Sequence, residues 1–421
     1  MPSIFRRETL WRAAALFAPV FYWVAFVWRR MLPRTTIIAI TGSLGKTTTK
    51  ELLADILTSV APTYRTYRNQ NSSSLVTLNV LRIRRRHRYA VIEIAGASPG
   101  SLRRPARLVR PDVVIILNVL RTHRTSFENS EQYAKEKAVL LECLKPGGIA
   151  VLNQDDPFVS RMTPPEGARV YRFGSAPELA HYFDNISAAW PRRLSFTFHV
   201  GDESRQIETK LVGAHWTPSA AAALTAATVL GVDLDVAVAA LNRTKPFAAR
   251  LQPARVPSGA VILRDDYNAS IDAIDMSLRV LEEATALRRT LVITDMSDFG
   301  KNRKQRLKYL GARSAEVADS AVFIGDMSEY GKRRAIEAGL APDAAHAFAT
   351  LREAADFLRG DLKSGDLVLL KGRTTDHATR IFFAQLGEVK CWREYCGKRM
   401  LCDLCPQLGL SRETLIAAAA E

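Results

Sequence analysis

A chain of 421 residues, 47% of them apolar, can build two or three domains with real cores, which excludes a mainly disordered protein. Its formal charge is +16, concentrated at Arg29 and Arg30, in the run Arg82, Arg84, Arg85, Arg86 and His87, and at Arg104, Arg107 and Arg110. Such clusters attract nucleic acid, anionic lipid or acidic substrates, but none is joined to an aromatic stacking pattern or a reading element, which weighs against nucleic acid.

Residues 1–33 form a unit of their own. From Ala13 to Trp28 every side chain is apolar or aromatic, with Arg6, Arg7 and Arg12 before the run and Arg29 and Arg30 after it. The run is shorter than the roughly 20 residues that span a bilayer, and Pro19 lies inside it. Trp11, Tyr22, Trp23 and Trp28 suit the headgroup interface, and no small-residue cleavage pattern follows. The expectation is a retained anchoring or interfacial helix holding the protein at the cytoplasmic face of a membrane. A buried helix docked on the body of a cytoplasmic protein is the alternative.

After Pro33 the chain alternates strands and helices. Thr35 to Ile40 is a β-branched run suited to a buried parallel strand, and a helical run begins near Lys50. Further strands are expected at Tyr89 to Ile94, Val113 to Leu117 and Ile149 to Leu152, with a helix over 130–144. This predicts an α/β fold with a central P-loop mononucleotide-binding domain over 34–250. A C-terminal Rossmann-like α/β domain over 251–385 follows, with strands at Ala260 to Leu263, Thr290 to Ile293, Ser320 to Ile324 and Leu367 to Leu370. Its helices are expected at 272–286, 303–317 and 331–339, and a cysteine-containing tail occupies 386–421.

The strongest local motif is Gly42, Gly45, Lys46 and Thr47, between the first strand and its helix. Glycines let backbone N–H groups approach phosphate oxygens, Lys46 can reach the outer phosphates, and Thr47 can hold magnesium. Ile40 stands where the full Walker pattern has its first glycine, so the position between strand and helix carries the assignment. Alone, such a loop indicates nucleotide handling without distinguishing a kinase, an ATPase and a ligase.

The wider set of motifs resembles the Mur ligase superfamily over roughly 36–385, closest to its branch that adds D-alanyl-D-alanine to a muramoyl tripeptide. Thr41-Gly-Ser-Leu-Gly-Lys-Thr-Thr-Thr49 looks like the ATP loop, with Thr48 among the nucleotide contacts. Arg68-Asn-Gln-Asn-Ser72 resembles the asparagine-rich segment, and Glu93-Ile-Ala-Gly96 the metal-binding Glu motif. Asn118 to His123 resembles the Asn and His element, and Lys137 falls at the family's spacing for a lysine that is often carbamylated. Asp265-Asp-Tyr-Asn-Ala269, Asp295-Met296 with Gly300, and Lys371-Gly-Arg373 complete the set.

This resemblance implies an ADP-forming amide ligase that uses ATP and Mg²⁺ and joins a carboxylate-bearing acceptor to an amino acid or other amine through an acyl phosphate. It places Thr47, Glu93, His123 and a carbamylated Lys137 around magnesium, with Lys46 on the phosphates and Asn118 orienting the crevice. Arg250, Asp265 and Lys371 are expected to approach ATP or the acyl phosphate, and Tyr267, Asn268 and Arg373 to shape the amine pocket. Trp216 and Ser219 replace two family asparagines, and Ser270 with Ile271 replaces an Asn-Pro pair. The family's UDP-sugar domain has no match ahead of the ATP loop. Together these departures lead to the expectation of a cell-envelope or surface-polymer precursor in place of the usual UDP-muramoyl peptide. The rival readings are an ATPase or kinase that forms no amide, and a catalytically inactive nucleotide-binding protein.

Finally, Cys391, Cys396, Cys402 and Cys405 cluster in a chain whose only other cysteine is Cys143. Four thiolates could hold a structural zinc; an iron–sulfur cluster, a disulfide and plain reduced thiols are the alternatives.

Overall fold

A computed structural model describes residues 18–120, 126–296, 302–394, 396–398 and 400–411. The chain forms two units. One comprises 1–185, 196–209 and 217–244, and the other 186–195, 210–216 and 245–421.

The first unit begins with helix α1 (18–30). There follow β1 (Thr36–Thr41), α2 (Lys46–Thr58), β2 (Thr63–Arg65), α3 (Ser73–Arg82), β3 (Tyr89–Glu93), α4 (Arg103–Val109), β4 (Val113–Ile116), α5 (Ser130–Glu142) and β5 (Ile149–Asn153). Strands β6 (Arg169–Gly174), β7 (His181–Ser187), β8 (Ser195–Val200) and β9 (Glu203–Glu208) come next, then helices α6 (Thr217–Val229) and α7 (Leu234–Arg243).

The nine strands form one sheet in the order β2-β3-β1-β4-β5-β6-β7-β8-β9. From β2 to β7 neighbouring strands run parallel. β3, β4 and β5 are buried at every position, as their unbroken apolar runs require of strands covered on both faces. Because β1 pairs with β3 on one side and β4 on the other, the chain reverses its winding at β1, and such sheets bind ligands beyond the strand ends at that point.

α2 starts at Lys46, four residues earlier than the sequence reading places it. Gly45, at φ 84°, makes the turn into the helix, and Thr47, Thr48 and Thr49 are buried within its first turns. The loop and the helix end are therefore one structure.

α1 is docked on this unit. Ala25 is fully buried, Tyr22, Phe26 and Trp28 pack against the same core, and Trp28 Nε1 donates to the Ile83 carbonyl at 3.0 Å. Arg29, 3% exposed, donates to the Val109 and Arg110 carbonyls at 2.7 and 3.0 Å. Residues 1–17, including Ala13 and its neighbours in the apolar run, lie outside the described residues. Among the described residues no helix is long and apolar enough to cross a membrane.

The second unit contains β10 (Gln252–Arg255), β11 (Val261–Asp265), α8 (Ile271–Glu282), β12 (Arg288–Ile293), α9 (Arg303–Val317), β13 (Ser320–Ile324), α10 (Ser328–Glu337), β14 (Ala345–Phe348), α11 (Leu351–Asp361), β15 (Asp366–Lys371) and α12 (Thr379–Leu386). Its sheet has the order β10-β11-β15-β12-β13-β14, parallel except for the β10 edge. The cysteine-containing segment packs onto this sheet, with Val389, Cys402 and Leu408 in one core with Ile262, Val368 and Phe382. Arg264, 1% exposed, is paired with Asp403 at 2.8 Å, which fixes that segment to β11.

Candidate active site

In the first unit the phosphate loop lies at the winding reversal. Asn118, just beyond β4, accepts hydrogen bonds from the backbone N–H groups of Ser43 and Leu44, both at 2.9 Å, through its side-chain oxygen. Its amide donates to the Leu44 carbonyl at 3.3 Å, and the Leu120 N–H donates to Ser43 Oγ at 2.9 Å. One carboxamide thus sets the path of the loop, a sharper role than orienting the crevice. Gly45 admits no larger residue, because a Cβ there would stand 2.5 Å from Ser219 Oγ in a left-handed backbone conformation. Ser219, one of the departures from the family pattern, therefore packs directly under the loop. Lys46 Nζ donates to the carbonyls of Gly42 and Ser43 at 2.6 and 2.9 Å, which keeps its charge over the loop.

Glu93 ends β3 with only 1% of its surface exposed. Thr47 Oγ1 donates to Glu93 Oε2 at 3.0 Å and Asn71 Nδ2 donates to Oε1 at 2.7 Å, while the Glu93 N–H donates to Thr66 Oγ1 at 3.0 Å. A hydroxyl and a carboxylate side by side at the first turn of a phosphate-loop helix make a hard oxygen donor pair of the kind Mg²⁺ takes. Asn71 was visible in the sequence only as part of the asparagine-rich segment, with no role attached.

Lys137 on α5 is fully buried, and its side-chain nitrogen has no hydrogen-bond partner among the described residues. It lies 3.9 Å from the centroid of the Tyr133 ring. Burial pushes its pKa down to about 7, against the pull of Glu136 and Asp156. Those carboxylates have other work: Glu136 accepts from the Gly100 and Leu102 N–H groups at 2.7 Å, and Asp156 accepts from the Val119 N–H at 2.9 Å, next to Asn118. A buried amine whose pKa lies near 7 has a sizeable neutral fraction at neutral pH, the form that a carbamate requires of its lysine. His123 lies outside the described residues.

In the second unit, Lys371 ends β15 and ion-pairs with Asp265 at the end of β11, where the two are in register. Ser277 Oγ and the Ala273 carbonyl accept from the same ammonium at 3.0 and 3.2 Å. Burial lowers the Lys371 pKa and Asp265 opposes that shift. Lys371 and Asp265 are therefore committed to each other here. Beside them His215 is held neutral, its pKa pushed down to about 3 by burial and by the charges of Lys371 and Arg279. Arg250 stacks 4.5 Å over the Tyr267 ring, between Ala249 and Leu251, two non-glycine residues with positive φ. Such backbone strain marks a position the surrounding fold enforces.

A cavity of about 250 Å³ opens beyond the ends of β12, β13 and β14, lined among others by Asp295, Arg303, Asp326, Arg373, Asp376 and Glu394. Thr294 Oγ1 donates to Asp376 Oδ2 at 2.7 Å, and Arg306 pairs with Asp295 at 3.0 Å. Of the three residues expected to shape an amine pocket, Arg373 lines this cavity and Tyr267 and Asn268 do not. The four tail cysteines line a separate, much smaller cavity of about 10 Å³ together with His377, whose Nδ1 is 3.4 Å from Cys402 Sγ. All five cysteines are free, and among the described residues no group of three or more His, Cys, Asp or Glu side chains is arranged to hold a metal ion.

Comparison with known proteins identifies this architecture. Residues 40–227 match the Mur ligase middle domain and residues 249–374 the Mur ligase glutamate ligase domain. The UDP-N-acetylmuramoyl-tripeptide–D-alanyl-D-alanine ligase of Buchnera aphidicola subsp. Baizongia pistaciae is 27% identical over 72% of this chain and 66% of its own length. The Escherichia coli K12 ligase of the same name is 28% identical over 72% of this chain and 67% of its own length. The chain thus spans about two thirds of these relatives. A crystal structure of MurF from Acinetobacter baumannii superimposes with a TM-score of 0.80 at 25% identity, covering 87% of this chain and 80% of that one. These names overturn the expectation of an acceptor other than the UDP-muramoyl peptide. That expectation rested on the segment ahead of the ATP loop and on a few substitutions, whereas the two matched domains run almost without interruption from 40 to 374. The chain belongs to the Mur ligase family of ATP-dependent, amide-forming ligases.

Proposed function

We propose that the chain joins D-alanyl-D-alanine to a UDP-muramoyl tripeptide with cleavage of ATP to ADP and phosphate. The observation that carries this reading is the array in the first unit: a fixed phosphate loop, the Thr47–Glu93 pair at its helix end, and the buried amine of Lys137, without a hydrogen-bond partner among the described residues. Thr47, Glu93 and a carbamylated Lys137 would hold Mg²⁺, with His123 as a further ligand. The metal would supply positive charge opposite the phosphoryl group being transferred.

Lys46 holds the outer phosphates while a carboxylate oxygen of the acceptor attacks the γ-phosphorus and the bond to ADP breaks. The amine nitrogen then attacks the acyl carbon, loses a proton, and expels inorganic phosphate. The cavity in the second unit suits a zwitterionic amine: Arg303 and Arg373 offer charge to its carboxylate, and Asp295, Asp326 and Glu394 to its ammonium. Arg250, Asp265 and Lys371 would serve ATP or the acyl phosphate, as the family resemblance implies.

Phosphate release should require both the UDP-muramoyl tripeptide and D-alanyl-D-alanine, with a product whose mass reports one new amide bond. ATP hydrolysis indifferent to the amine, or a phosphorylated product, would favour the ATPase or kinase reading. Nucleotide binding without turnover would favour an inactive protein. Lys137→Ala should keep nucleotide affinity and lose about a few hundredfold in turnover, the cost of one well-placed electrostatic group.

Carbamylation consumes the neutral amine, adding its nitrogen to CO₂ with release of a proton. With a pKa of about 7, Lys137 becomes neutral as pH rises through that value, far below ordinary lysines. Carbamate occupancy, read by ¹³C NMR under labelled CO₂, should therefore rise through about pH 7 in the wild type and be missing from Lys137→Ala. A signal unchanged by that substitution removes the lysine from the metal site.

For the tail, the convergence of Cys391, Cys396, Cys402, Cys405 and His377 on one small cavity supports a structural zinc that draws the thiolates together. Burial pushes the Cys402 thiol up to about 11, so a cation is needed to ionise it near neutral pH. Reduced protein purified without chelators should contain zinc in proportion to chain. Zero zinc refutes this reading.

A further inference from the structure

α1 has two unlike faces. One is sewn to the first unit through Ala25, Trp28 and Arg29. The other presents Val20 (57% exposed), Phe21, Trp23 (62%), Val24, Val27 (55%) and Met31 to solvent. Stable cores do not leave so many large apolar side chains together on one short helix; a contiguous patch of this kind marks a surface that is covered in use.

The borders of the patch are cationic. Trp28 is bound to Ile83, so the exposed run Arg84, Arg85 and Arg86 flanks one side of the helix. Arg88 donates to the Arg34 carbonyl and continues that side. On the other side Tyr22 Oη donates to the Arg104 carbonyl, and the Arg104 guanidinium lies 4.5 Å over the Tyr22 ring. Arg30 lies over Phe26 at 3.2 Å, and its pKa is lowered first by burial and then by the nearby charge of Arg110. Asp112, the acidic partner of α1, is already shared between Arg29 and Lys145. The rim is therefore left with a surplus of positive charge.

We infer that the outer face of α1 and the arginines beside it form an in-plane docking surface for an anionic lipid membrane. An apolar strip with tryptophan on it enters the boundary between headgroups and acyl chains, and arginines around it meet lipid phosphates. Nucleic acid would use the arginines but leave the apolar strip in water. A second copy of the chain would bring the same cationic rim against itself. The mode differs from an anchoring span: the helix lies on the surface and brings the ATP-binding unit with it.

Removing residues 1–30 is a poor test, because it would strip Ala25 and Arg29 from the core. Point changes on the exposed face leave that packing alone. The full chain should be sedimented with phosphatidylcholine vesicles, with and without phosphatidylglycerol, with ATP affinity measured on each variant to confirm the fold. Binding should require the anionic lipid and weaken with salt. It should fall about tenfold or more in the double variant Trp23→Ser, Val27→Ser, and about fivefold for each of Arg84→Gln and Arg104→Gln. Equal binding to both vesicle types, no binding to either, or binding untouched by Trp23→Ser, Val27→Ser would overturn the inference. So would a stable dimer that sequesters Trp23.

Discussion

A carboxylate buried at the end of a central strand is the constraint around which the first unit is arranged. Glu93 has lost almost all contact with water, and an ionised carboxylate in that position is costly unless its oxygens are met by donors or a cation. Thr47 reaches it from the helix after the phosphate loop and Asn71 from the segment after β2, while Thr66 holds its backbone. The start of α2 and the segment after β2 are thus both fixed to one point at the end of β3. Asn118 does the complementary work across β1 by holding the loop from β4. The result is a rigid cradle whose chemistry is set by backbone N–H groups and hard oxygens before any substrate arrives, which is what phosphoryl transfer demands.

Charge placement follows a common rule in both units. Lys137 carries an amine in a site whose burial disfavours its charge, the neutral form that the proposed carbamylation consumes. Lys371 is equally buried and burial lowers its pKa too, but Asp265, Ser277 and a carbonyl surround it and Asp265 opposes that shift. The two buried lysines thus differ in their partners, Lys137 facing the Tyr133 ring and Lys371 an ion pair with Asp265 beside neutral His215.

Much of this was legible in the sequence wherever burial imposes a simple pattern. β13 at 320–324 and α9 at 303–317 match the sequence reading residue for residue, and β3 and β4 lie within a residue of it at each end, because unbroken β-branched runs and a long 3.6-residue period leave few alternatives. β9, with the sequence ESRQIE, has too polar a pattern to be read as a strand and exists because the sheet continues to it. α11 went unread although Thr350 and Glu353 form a capping box, a signal that was present. The site divides in the same way. Lys46, Thr47 and Glu93 could be named from motif and strand end. Asn71 as a partner of Glu93, Arg264 as a partner of Asp403 and His377 as a neighbour of the cysteines depend on tertiary proximity between positions that share no periodicity. The substrate reading failed for another reason: it was drawn from the segment ahead of the ATP loop and from a few substitutions such as Ser219, which lies against the loop at Gly45.

The central claim is that the buried Glu93 carboxylate serves a magnesium ion bound with ATP. Calorimetric titration of ATP, with and without Mg²⁺, into the wild type and into Glu93→Gln tests it most directly, since glutamine preserves the shape and the Thr47 contact while removing the charge. The account predicts that Mg²⁺ tightens ATP binding in the wild type and that this gain is lost in Glu93→Gln, with metal-free ATP affinity little changed. An undiminished magnesium-dependent gain in a folded Glu93→Gln protein would contradict it.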